Sequence, residues 1–267
     1  MLLAAALLRV PARRMRALAL GDDAALRDWL ANESATRLAE ARRDARLAAE
    51  RILAFGARLV ALGDPEYPGG LKQLRDAPAF LIVRGALPRA PWAEGVALVG
   101  ARDAAPEAAA FAMDLAARVA APVVSGLAVG IDGAAHEGAL ASGTRTVAYV
   151  AHGLGATYPP EHAGLEERIV AAGGAIASER LPGEAVAGWA LIKRDRLQAA
   201  HAAAVVLVQS GAGGGALHTM RFARELNRPR FALAPRAGEA YAGNVRALAD
   251  GARELPWDAD EAASLLR

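Results

Sequence analysis

Hydrophobic positions along this chain come in short runs separated by stretches of helical spacing. From residue 96 onward the apolar runs recur at 96–99, 123–124, 146–150, 175–176, 204–208 and 230–233. Between them, helical patterns occupy 106–120, 132–141, 164–172, 194–200 and 217–226. Short unbroken apolar strands alternating with helices predict an α/β fold: a mostly parallel sheet with helices on both faces. Two earlier runs, 58–62 and 80–83, predict strands ahead of this repeat, with a loop at 64–70 between them and a proline-containing linker at 88–92 after them. The first 58 residues read as helical, with Leu18, Leu26, Leu30, Leu38 and Leu47 scattered among arginines. Arg42, Arg43, Arg46 and Arg51 form either a solvated surface or a basic helical face. The expected organisation is a helical segment at 1–57, the α/β domain at 58–255 and a tail at 256–267.

Composition narrows the classes without choosing among them. The 267 residues are 54% hydrophobic, enough for a substantial core, and much of that fraction is alanine, which favours helices and close packing. No run approaches the roughly 20 apolar residues that span a bilayer. The opening residues 1–8 have no basic residue ahead of them, unlike a secretory signal, and read as a buried helical turn. Cysteine is absent, which excludes thiol chemistry and disulfides and fits a cytoplasmic protein. The formal net charge is only +2, but lysine occurs only at Lys72 and Lys193, so nearly every cation is an arginine. Arginine offers planar, bidentate donors to phosphate, although a GC-rich genome produces the same bias.

The chemistry-bearing loops all fall at predicted strand ends, where parallel α/β sheets bind ligands. After the run ending at Val124, Ser125 and Gly126 lead through Gly130 into a helix expected to be capped by Asp132. A strand, a glycine turn and a helix start converge free N–H groups and the helix dipole on one point, so this loop is either a simple turn or an anion site. The first strand of the repeat exits through Gly100 to Arg102, which would project into the crevice or remain a surface charge. Lys193, Arg194 and Arg196 lie at the expected start of a helix, where three cations oppose the dipole unless an anion is near. Gly213, Gly214 and Gly215, followed by Thr219, let a backbone approach a phosphate closely. His136 reads as a structural group, Tyr158 as packing against prolines or stacking on a base. No grouping has metal-ligand spacing, and no metal or cofactor is expected.

In order and residue type these loops resemble the DprA/Smf family of DNA-processing proteins. The resemblance rests on Ser125-Gly-Leu-Ala-Val-Gly130-Ile-Asp132-Gly-Ala-Ala-His136, Val99-Gly100-Ala101-Arg102, the Tyr158-Pro159 element, Ser178-Glu179, the 192–197 segment and the 210–219 loop. It also takes in Tyr67-Pro68, Leu71, Asp76, Pro78, Leu81, Gly85, Gly243-Asn244 and Gly251-Ala252, so it covers roughly 58–252. It implies an extended Rossmann-like fold, a homodimer, and a non-catalytic protein that binds single-stranded DNA and hands it to the recombinase RecA in natural transformation. The family's DNA pocket would then comprise Gly100, Arg102, Ser125, Gly126, Lys193, Arg194, Arg196, Gly213, Gly214, Gly215 and Thr219. Departures from the pattern are Ala101 for threonine, Asp195 for asparagine, Gly214 and Ala216 for two serines, and Met220 for alanine. A winged helix common at the family's C-terminus has no counterpart here. Nothing in the spacing resembles a nucleophile with its base or a carboxylate pair over the crevice.

Two other readings stay open. A nucleoside-monophosphate phosphoribohydrolase of related fold needs a glutamate after its glycine-threonine motif, and Phe222 stands there instead. A nucleotide-ligand sensor needs only the glycine loops, and would melt at higher temperature with a nucleotide bound.

Overall fold

A computed structural model describes residues 1–22, 24–88 and 94–266. Residues 89–92 of the linker predicted at 88–92, and the side chain of Leu26, lie outside the described residues. Four helices open the chain: α1 (Leu2–Leu7), α2 (Ala12–Ala19), α3 (Ala24–Leu30) and α4 (Ala35–Ala54). Ser34 caps α4, its Oγ accepting from the Arg37 amide at 3.2 Å. Then β1 (Ala57–Ala61) and β2 (Phe80–Gly85) form an antiparallel pair.

The alternating repeat follows as β3 (Gly95–Val99), α5 (Pro106–Arg118), β4 (Val123–Ser125), α6 (Ile131–Ala141), β5 (Thr146–Tyr149), α7 (Ala163–Ala171) and β6 (Ala175–Ser178). It continues with α8 (Gly188–His201), β7 (Ala202–Leu207), α9 (Ala216–Glu225), β8 (Arg230–Leu233), α10 (Ala242–Ala249), β9 (Arg253–Leu255) and α11 (Ala259–Ser264). One sheet contains all nine strands in the order β1-β2-β6-β5-β4-β3-β7-β8-β9. β2 pairs antiparallel with β6, and every pairing from β3 to β9 is parallel. The expected mostly parallel sheet with helices around it is therefore what the chain builds.

The central strands are buried on both faces, which is why they read as unbroken apolar runs. One core cluster joins Leu81, Val83, Ala97, Val205 and Leu207 to Leu197 of α8 and Met220 of α9. On the opposite face Phe111, Leu115 and Ile131 pack over Leu98 and Val206, and Ala262 and Ala263 of α11 join them. The third cluster carries the opening helices: Ala5, Met15, Leu18 and Ile52 pack with Ile82, Ala148 and Ile176 of the sheet.

Three local features differ from expectation. The strand β9 has no apolar run to announce it, because two of its three residues are exposed. The helix expected at 194–200 begins at Gly188, so Lys193, Arg194 and Arg196 sit beyond its first turn and do not face its dipole end. Helix α6 is capped by Gly130, whose φ of 79° is open to glycine at little strain, and not by Asp132. Asp132 lies in the first turn and reaches back instead.

Candidate functional site

Chain direction across the sheet reverses at β3: β4, β5 and β6 follow to one side, while β7, β8 and β9 lie on the other. The loops leaving β3 and β7 diverge over that point, which is where open α/β sheets form a crevice. Here it is a cleft of about 450 Å³. Its walls are Gly100 and Arg102 after β3, Asp132 of α6, Arg194, Asp195 and Gln198 of α8, and Ser210, Gly214, Gly215 and Thr219 around the loop after β7.

Two buried amides hold the walls in place. Gln209 Oε1 accepts from the Ala105 amide at 2.8 Å, fixing the loop after β3 against β7. Asn244, fully buried in α10, accepts from the Ser210 amide at 2.9 Å and donates to the carbonyls of Val208 and Leu233 at 3.0 Å. One side chain thus joins β7, β8 and the glycine loop. In the sequence Asn244 is only a point of family resemblance, with no role legible from its neighbours.

At the back of the cleft is a buried ionic network. The Arg194 guanidinium donates to the carbonyls of Gly126, at 2.6 Å, and Tyr149. Its Nε lies 3.2 Å from Asp195 Oδ1, and Gln198, with its amide oxygen turned toward it, accepts from Nη1 at 3.0 Å. Asp132 Oδ2 accepts from the amides of Gly126 at 3.1 Å and Ala128 at 3.4 Å. The close approach requires Gly126: a Cβ there would stand 1.9 Å from Arg194 Nη1. Burial pushes the Asp195 carboxyl up to about 7, with Arg194 opposing and the neighbouring Asp132 charge adding to the rise. Burial also raises Asp132, against Arg194 and the two amides. A carboxylate pair does therefore stand at this crevice, which the spacing along the chain does not reveal. It comes from two helices, 63 residues apart in sequence (195 − 132).

The structure places the sequence-predicted site residues in three settings, with Arg194 belonging to two of them. Gly100, Arg102, Gly214, Gly215, Thr219 and Arg194 line one cleft, and Gly213 lies on the outer side of the same loop. Arg102 is exposed and makes no hydrogen bond or ion pair among the described residues. No atom lies within 4 Å of where a Cβ would stand at Gly213 or Gly215, so their backbone is open to an approaching group. Ser125, Gly126 and Arg194 are buried and used within the protein, the Ser125 hydroxyl donating to Leu98 O at 2.7 Å. Lys193 and Arg196 do not line the cleft. Both meet Glu179 at 2.6 Å, and Arg196 Nε also lies 3.0 Å from Asp76. The expected basic cluster of Lys193, Arg194 and Arg196 is thus split, because Lys193 and Arg196, three residues apart on α8, share Glu179 while Arg194 turns to Asp195 and the carbonyls of Gly126 and Tyr149.

His136 is fully buried, and its neutral ring meets Thr146 Oγ1 at 2.7 Å. Since that hydroxyl donates to Val123 O at 2.9 Å, His136 Nδ1 carries the proton and ties α6 to β4 and β5. Tyr158 is partly exposed, in edge contact with His152, and lies outside the cleft lining. Among the described residues no helix is long and apolar enough to cross a membrane.

Comparison with known proteins adds a family context to this geometry. A family model described as DNA recombination-mediator protein A matches residues 58–266. A DNA processing protein DprA of Mycobacterium tuberculosis is 38% identical over 228 residues, covering 79% of this chain. The chain spans only 58% of that relative's length. The X-ray structure of DNA processing protein A from Streptococcus pneumoniae superposes with a TM-score of 0.74 at 25% identity, covering 88% of this chain and 83% of that one. A structure of DNA processing protein A from Helicobacter pylori, described for its single-stranded DNA binding mode, superposes with a TM-score of 0.67 at 25% identity. It covers 78% of this chain and 95% of that one.

Proposed function

The chain belongs to the DNA recombination-mediator protein A family, and on that premise we propose that it binds single-stranded DNA in the cleft at the carboxyl ends of β3 and β7. The observation that carries the proposal is Arg102. It is an exposed guanidinium on the wall of the same cleft as the open glycine loop; it makes no hydrogen bond or ion pair among the described residues and acts on Asp195 only through its charge. Arg102 supplies charge and a bidentate donor to a phosphate, while the 213–215 amides approach the sugar-phosphate backbone. Contacts of that kind give affinity without sequence preference and weaken steeply with salt.

The same reading extends to the partners. The protein acts without catalysis, as a homodimer in the cytoplasm, and passes its strand to the recombinase RecA. Asp132 and Asp195 serve as braces for the 126–128 loop in this account, since the first is held by backbone amides and the second by Arg194.

Fluorescence anisotropy with a labelled oligo-dT tests the reading. Wild type should bind at low salt and release between about 50 and 200 mM salt. Arg102→Glu should weaken binding at least tenfold, with unchanged thermal unfolding. Wild type that fails to bind even at low salt would overturn it; stabilisation by a mononucleotide in the same preparation would then favour the ligand sensor.

A further inference from the structure

A second groove opens on the far side of the glycine loop, between α9 and α10. Gly214 and His218 line both it and the cleft, so the two adjoin across the loop. Four arginines surround it: Arg221 and Arg224 on α9, Arg246 on α10 and Arg230 at the start of β8. Against them the lining holds a single carboxylate, Asp250. For a chain of net charge +2 this is a strong local excess.

The excess is not neutralised from the flanks. The Arg246 side chain makes no hydrogen bond or ion pair among the described residues. Arg224 Nη1 is 3.9 Å from Asp250, and Arg221 Nε is 3.7 Å from Glu225, both between exposed side chains where such pairs contribute little. Arg230 donates to the Asp250 carbonyl at 2.7 Å and makes no ion pair among the described residues, the Asp250 carboxylate acting on it only as the smallest of the three influences on its pKa. Burial, together with Arg224 beside it, lowers the pKa of Arg230 from its usual value. Like charges gathered along one groove repel unless an anion lies between them. The walls are the two helices, so the cations stand on rigid elements at fixed spacing. Arg221 and Arg224 share one face of α9 three residues apart.

We propose that the α9–α10 groove holds the phosphates of the strand as it leaves the cleft, so that one DNA path crosses the glycine loop from Arg102 to Arg246. This rests on the single-stranded DNA reading above and extends it to a second, more strongly charged segment. Gly213 and Gly215 then have a purpose beyond the cleft. They let a backbone pass over from one side to the other, because no Cβ at 213 or 215 stands in its way.

The test is a triple variant, Arg221→Ala with Arg224→Ala and Arg246→Ala, measured by anisotropy as a function of salt. The probes are two labelled oligo-dT strands, one of about six nucleotides and one of roughly twenty. Removing three phosphate-neutralising cations from the path of a single strand should lower the salt slope by about 2. We expect the longer strand to show that reduced slope and to bind at least tenfold more weakly, while the shorter one, accommodated by the cleft, changes little. Replacement of the same three residues by lysine should restore most of the affinity, which a folding defect would not allow. An unchanged slope in the alanine variant overturns the groove path. If Arg102→Glu still abolishes binding in that case, the DNA reading stands without it. If the slope is unchanged but sedimentation shows altered self-association, the groove belongs to a second copy of the chain. Wild type that binds neither strand overturns both readings together.

Discussion

The cleft and the groove beside it solve opposite electrostatic problems, although a single loop separates them. In the cleft, Arg194, Asp132 and Asp195 are buried and held by one another and by backbone groups, and only Arg102 is exposed. In the groove, four arginines meet one aspartate, and Arg221, Arg224 and Arg246 are exposed. Buried charge must be paired internally or it is expelled, so the cleft's ions chiefly maintain its shape. Exposed charge is cheap to leave unpaired in water, so the groove's arginines remain free for a ligand. A count of charges over the whole chain averages these two regions to almost nothing. The distinction lies in burial, and it leads to different consequences for substitution in each place.

The largest difference should appear in stability. Arg194→Ala removes the cation that Asp132 and Asp195 face and the donor to the Gly126 and Tyr149 carbonyls. Breaking such a buried pair costs about 3–5 kcal/mol, whereas substitution at an exposed position such as Arg246 changes stability by about 0.5 kcal/mol or less. Urea unfolding of the two variants at pH 8 checks this directly. The cost at Arg194 should shrink at pH 5, because the orphaned carboxyls can then take up protons. A pH-independent loss would mean that packing, not charge, is what Arg194 supplies.

A smaller effect, of opposite sign, is expected at Asp195. Its folded-state pKa, near 7, lies above the unfolded value, so folding takes up a proton. The favourable contribution is complete below about pH 4 and is lost as pH rises toward 7. Asp195→Asn removes that loss and should stabilise the protein at pH 8 by on the order of 1–3 kcal/mol, with little change at pH 4. Arg194, Asp132 and Arg102 are the charged groups that act on it, so the variant should also bind oligo-dT more tightly at pH 8 and with a flatter pH dependence. A variant no more stable than wild type at pH 8 would place the Asp195 carboxyl in ordinary contact with water.

How much of this is legible from the chain alone depends on whether a residue's role is local. The central strands are readable because burial on both faces leaves unbroken apolar runs, and β3, β7 and β8 lie where those runs are. Arg102, Gly100 and the 213–215 loop are readable as cleft residues because they leave the ends of those strands. The fate of Lys193 and Arg196 is not, since a turn of about 100° per residue places these two, three positions apart, on a different side of α8 from Arg194. Only the tertiary placement of Glu179 and Asp76 shows that both are already paired. The carboxylate pair and the groove share that difficulty. Asp132 with Asp195, and Arg221 with Arg246, come from separate helices and carry no common spacing. Asn244 is visible as a matched position but not as a clamp, because its partners lie on β7 and β8.

The smallest stability effect should accompany a large functional one, at Arg102. The side chain is exposed and makes no hydrogen bond or ion pair among the described residues, so Arg102→Ala should leave the unfolding free energy within about 0.5 kcal/mol of wild type. Without its phosphate contact, oligo-dT binding should nevertheless weaken several-fold and the single-strand salt slope fall by about 0.7. Arg102→Lys keeps the charge but not the planar fork, so it separates simple neutralisation from bidentate recognition. If lysine restores full affinity, Arg102 acts as a point charge, as the groove arginines are expected to do. If it restores the salt slope but not the affinity, geometry matters at the cleft. The two regions would then differ in how they bind phosphate as well as in how they keep their charge.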